Sequence, residues 1–93
     1  MQASETGTHA LPRIARGFRL QWEPVQSAYV LLYPEGMVKL NASAGEILKR
    51  CDGATSVKAI VTDLEKAFST TGLDHDVRAF LDIAHEQRWI EWA

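Results

Sequence analysis

Three histidines, a single cysteine and a scatter of carboxylates are the residues of this 93-residue chain whose types could do chemistry. His9 stands in a polar N-terminal stretch. His75 and His85 fall on one predicted helix, ten positions apart in the sequence. That spacing separates them by roughly 15 Å of helical rise and about 80° of rotation. One zinc ion cannot be shared across that distance, so the pair is not a metal site. Cys51 sits in a helical apolar stripe with no sequence neighbour that would lower its pKa, and it reads as a core thiol. Asp74, Asp76, Asp82 and Glu86 read as the solvated face of a helix, not as a general acid/base pair. Gly36, Gly45, Gly53 and Gly72 stand singly at turns and helix ends, so no glycine-rich loop cradles a phosphate. The residues predict no enzyme, no metal and no cofactor.

Composition narrows the remaining classes. Apolar residues at 46% and charged residues at 24% are the balance of an ordinary globule, and the length accommodates one domain. The longest uninterrupted apolar run, Ala28 to Tyr33, is far short of the ~20 residues of a membrane span. A lone cysteine and the lack of a basic-then-apolar leader point to a reducing, cytoplasmic setting. Ten Lys and Arg against twelve Asp and Glu give −2. From Cys51 to Ala93 four basic side chains face eight acidic ones, leaving that half at −4. Such a surface repels phosphate, so nucleic acid is an unfavoured partner.

The elements that must position any site follow from periodicity. Met1 to Pro12, polar and without apolar rhythm, predicts a mobile N-terminal arm (residues 1–12), with one domain over 13–93. Arg13, Arg16 and Arg19, around Gly17, read as a solvated lead-in. Phe18 to Glu23 alternates apolar and polar residues, predicting a strand with Phe18, Leu20 and Trp22 inward. Ala28 to Tyr33 is continuously apolar and reads as a central strand covered on both faces. Pro34-Glu35-Gly36 predicts a turn, and Met37 to Leu40 a third strand. The period then becomes helical. Ser43 and Glu46 form a candidate capping box, and Asp52-Gly53 is the stop. A second helix starts at Thr55 or Ser56 and carries Val57, Ile60, Val61, Leu64 and Phe68. Asp74 caps a third, with Val77, Phe80, Leu81 and Ala84 inward, and Trp89 to Trp92 ends as a short strand or tail. The expected class is α+β and winged-helix-like: a three-stranded antiparallel sheet followed by three short helices.

Short connections make the sheet a meander and leave Met37–Leu40 at an edge. An exposed edge is a hazard unless covered or used, and an extended peptide can add to it as a further strand. The alternatives are that a helix, the Trp89–Trp92 end or a second subunit covers the edge. A winged-helix DNA-binding protein and a purely structural dimerisation domain, hence a possible homodimer, also remain open.

The run Leu31-Leu32-Tyr33-Pro34-Glu35-Gly36-Met37-Val38, followed by Leu40-Asn41, Ile47-Leu48, Cys51-Asp52-Gly53, Ile60-Val61 and Leu64, resembles the PqqD proteins of pyrroloquinoline quinone biosynthesis. Arg19 to Glu23, Asp76-Val77, Phe80-Leu81 and Trp89 continue the likeness, which covers Leu11 to about Trp92. One departure is Arg88, where relatives are expected to carry a glycine helix cap. The resemblance implies a non-catalytic, winged-helix-like peptide chaperone. It would bind the precursor peptide PqqA and present it to the radical S-adenosylmethionine enzyme PqqE. In the wider set of precursor-peptide recognition domains, the leader pairs with the third strand and lies against the third helix.

Together, edge and resemblance predict a peptide docked along Met37, Val38, Lys39 and Leu40. The border of the third helix named first is Arg78, Leu81, Asp82 and His85, where Arg78 either meets an acidic leader residue or pairs with Asp82. The opposite border, Ala79 and Ile83, is the second choice.

Overall fold

The computed structural model describes residues 11–93. The arm over 1–12, and His9 with it, therefore lies outside the described residues except for its last two. Leu11 and Pro12 belong to the domain: strand β1 spans Pro12–Ile14, with Pro12 fully buried. It pairs antiparallel with β5, Ile90–Trp92, in a two-stranded sheet where Arg13 Nε donates to Glu91 Oε2 at 2.9 Å. The arginine spacing concealed this strand, because three residues are too few to show a period.

The alternating segment and the apolar run fold as expected into β2, Arg19–Glu23, and β3, Ala28–Tyr33. A two-residue turn, Pro34-Glu35, leads into β4, Gly36–Lys39. The three strands form an antiparallel meander ordered β2-β3-β4, in a register opposing Gln21, Val30 and Lys39 on one face and Leu20, Leu31 and Val38 on the other. Val30 and Leu31 are both fully buried, so the central strand is covered on both faces. Trp22 departs from expectation. It lies on the helix-facing side, its ring 5.0 Å from that of Tyr29, yet it is 49% exposed. Its strand is outermost, and helix α1 rests on β3.

The helices are α1, Ala42–Lys49, α2, Val57–Ala67, and α3, Asp74–Glu86. Ser56 caps α2, accepting from the Ala59 N–H at 3.1 Å. The other two starts differ from the sequence reading. Asn41, not Ser43, caps α1, accepting from the Ala44 N–H at 2.7 Å, while Glu46 turns to Arg50. A short side-chain acceptor serves equally from Asn, and it reaches the amide three residues on. Asp74 is the first helical residue of α3 and accepts from Arg78 Nε at 2.8 Å; its neighbour Leu73 has its N–H held by Glu65 Oε2 at 3.0 Å. Arg88 occupies the left-handed region at φ 67°. The turn after α3 therefore takes the conformation a glycine would take, with an arginine in it.

Leu31, Leu48, Ile60, Leu81 and Ile90 form the centre of the core, gathering sheet, helices and β5. Burial of each such side chain stabilises by about 1.5–3 kcal/mol. The Cys51-Asp52-Gly53 stop does more than end α1. Gly53, at φ 78°, donates its N–H to Pro12 O at 2.8 Å, and Asp52 bridges Arg13, so the stop holds β1 in place.

Candidate functional site

Main-chain geometry defines the first part of the site. The Leu40 N–H donates to Tyr29 O at 3.1 Å. Bonded and non-bonded pairs alternate in an antiparallel ladder, so Leu31–Val38 is bonded while Val30–Lys39 and Leu32–Met37 are not. The N–H and C=O groups of Met37 and Lys39 therefore point away from β3. Among the described residues β4 pairs with β3 alone, so this row forms an open edge. Met37 is 52% exposed and Lys39 is exposed on the face away from the helices. Val38 is half-buried and Leu40 buried on the other.

The second part begins at Asn41, directly after the edge. A groove of about 430 Å³ opens there between the start of α1, the end of α2 and the first turns of α3. Its walls include Ile47, Leu64, Val77 and Phe80, with Phe68 on the lip at 54% exposure and Asp76 at the rim. The volume lies within the ~300–1,000 Å³ of pockets that hold ligand groups.

The structure divides the third-helix residues named from the sequence. Leu81 is 1% exposed and belongs to the core. His85 turns toward β5, its ring 5.9 Å from that of Trp92. Arg78 bonds to Asp74, and Asp82 is exposed. None of the four lines the groove. Phe80 and Asp76 do, and Ile83, 53% exposed, follows Phe80 by one turn on that border. Phe80 was legible only as a core residue, because its place at the margin of the stripe shows once its neighbours are known. The Asn41 cap, which marks where strand becomes groove, was the signal available in the sequence.

Burial pushes the Cys51 thiol up to about 12, with the charge of Asp52 adding to it, and its Sγ–H donates to Ile47 O at 3.3 Å. Asp52 is held below the usual carboxylate range by the Ala54 N–H and then by the Thr55 hydroxyl. Among the described residues no three His, Cys, Asp or Glu side chains gather into a metal-binding group. No described helix is long and apolar enough to cross a membrane.

Residues 28–90, the span from β3 to the start of β5, match the family model described as coenzyme PQQ synthesis protein D (PqqD). The chain belongs to the PqqD family. It is 58% identical over 83 residues to the PqqA binding protein of Pseudomonas aeruginosa strain UCBPP-PA14, covering 88% of this chain and 90% of that one. To the PqqA binding protein of Azotobacter vinelandii it is 53% identical over 89 residues, covering 95% and 97%. The fold is similar to the solution NMR structure of the PqqD truncation of Methylobacterium extorquens PqqCD, with a TM-score of 0.77, 28% identity, and 98% and 99% coverage. That protein is described as a functional and stand-alone ribosomally synthesized and post-translational modified (RiPP) recognition element. PqqD membership agrees with the resemblance seen in the LLYPEG turn and the CDG stop, and with the α+β class.

Proposed function

We propose that this PqqD protein is a non-catalytic peptide chaperone that binds the precursor peptide PqqA by strand addition to β4 and presents it to the radical S-adenosylmethionine enzyme PqqE. The observation that carries the reading is the open edge at Met37 and Lys39 running directly into the apolar groove at Asn41. Relatives named for PqqA binding support the choice of peptide. Met37 and Lys39 each offer a donor and an acceptor, so an extended segment gains main-chain hydrogen bonds whatever its sequence. Selectivity then falls to the side chains beside that segment. Val38 and Leu40 form its floor, and Phe80, Ile83 and Asp76 form the border of α3 that the geometry favours over Arg78, Asp82 and His85.

The test is a titration of isotope-labelled protein with the precursor peptide, following backbone amides. Expected are shifts at Met37–Asn41 and at Leu73, Asp76, Phe80 and Ile83. A response confined to β2 or to the Arg78–His85 border would refute this docking, and absence of any response would refute the function.

A further inference from the structure

One charged side chain at the rim of the groove has been released from its ordinary partners, and its sign says what the groove accepts. Two carboxylates, Glu46 and Asp76, line the groove, with no lysine, arginine or histidine beside them. Glu46 is already engaged, its Oε1 accepting from Arg50 Nη1 at 2.8 Å. Asp76 is the third residue of α3, the position from which an acid reaches back to the N–H of the capping residue. That amide is taken: the Leu73 N–H donates to Glu65 Oε2 of α2 at 3.0 Å. The other acid of the first turn, Asp74, holds Arg78. Among the described residues the Asp76 carboxylate has neither a hydrogen bond nor an ion pair.

We infer that Asp76 determines specificity, selecting peptides that carry a lysine or arginine within a residue or two of the bulky apolar side chain that enters the groove. The inference rests on the docking reading above and adds the sign of the charge the guest must bring. Val77 and Phe80 lie next to Asp76 in the lining, with Ile47 and Leu64 completing the apolar walls. A carboxylate beside such walls attracts a cation more strongly than one in open water, and it repels an aspartate or glutamate in the same place. Lysine and arginine also suit the margin sterically, because their methylenes lie on apolar surface while the charged head reaches the rim. The start of α3 favours an acid at this position too, but that interaction leaves the carboxylate oxygens open to a guest. The selected sign is opposite to the one Arg78 would select, and Arg78 is turned to Asp74.

Calorimetric titration of the full chain with the precursor peptide, and with versions in which each lysine or arginine is replaced in turn by glutamine, tests it. Asp76→Asn is expected to weaken binding of the unaltered peptide about fivefold. One peptide replacement should cause the same loss with the wild-type protein and no further loss with Asp76→Asn, a non-additivity that a merely loosened α3 would not produce. Raised salt should narrow the gap between wild type and variant. Asp76→Lys should recover binding of a peptide with glutamate at the identified position. If Asp76→Asn binds as tightly as the wild type, or if the losses add for every peptide, the inference is overturned while the docking reading stands. A wild-type chain that does not bind the precursor peptide overturns both.

Discussion

Gly45 of α1 lies flat against the ring of Tyr29 on β3: a methyl group added at Gly45 would stand 2.7 Å from Tyr29 Cδ2. Helix and sheet approach this closely because one of them has no side chain there. Gly45→Ala improves helix propensity, yet it must push α1 off the sheet or turn the ring. The collision outweighs the gain, and a loss of about 1–3 kcal/mol is expected in denaturant unfolding.

Proline distinguishes the outward from the inward groups of β4. At Lys39 the N–H points away from β3, so Lys39→Pro spares the ladder while removing one donor from the edge. Peptide affinity measured by calorimetry is expected to fall by about tenfold or more, with a small change in melting temperature. Val38→Pro, whose N–H bonds to β3, should instead destabilise the fold by about 3 kcal/mol.

Ile83 and Asp82 are adjacent in sequence and report on different borders of α3. Ile83→Ser is expected to weaken peptide binding about fivefold, as exposed apolar surface beside the groove is lost. Asp82→Ala and His85→Ala should leave the affinity unchanged. The reverse pattern would return the site to the border read first from the sequence.

Cys51 gives a pH signature. Its thiol is raised from 9.0 to about 12 in the fold, so between those values the unfolded chain has lost a proton that the folded chain keeps. Stability therefore falls as pH rises through that window, and Cys51→Ala should flatten this part of the profile in thermal melts. At neutral pH the folded protein should resist alkylation by iodoacetamide, reacting only with denaturant present.

Arg88 holds a left-handed φ of 67° that costs an L-residue about 1 kcal/mol or more. Arg88→Gly removes this strain at some cost in unfolded-chain entropy. A net gain of about 0.5–1 kcal/mol, or roughly 3–6 °C in melting temperature, is expected.

The sequence made legible those features that repeat locally. The alternation of Arg19–Glu23, the apolar run of β3 and the stripe Val57, Ile60, Val61, Leu64 each declared an element and its buried face. The edge position of β4 followed from short connections. What escaped depended on partners distant in the chain. Strand β1 exists because Ile90–Trp92 and the Asp52-Gly53 stop receive it, and three residues alone carry no period. Trp92 claims His85, a contact no helical wheel contains. Competition between Asn41 and Ser43 for the α1 cap was equally hidden, since both residues satisfy the same rule.

The alternation that turns Met37 and Lys39 outward has a numerical side. A guest segment slid by two of its own residues along β4 finds the same donors, the same acceptors and the same face, so the rail by itself is periodic and has no origin. In the proposed docking the groove beginning at Asn41 would break that translational degeneracy, because one bulky side chain seated there would select a single phase. Everything such a guest carries beyond that anchor would then be delivered at a fixed offset, much as a detent turns a sliding ruler into an indexed one.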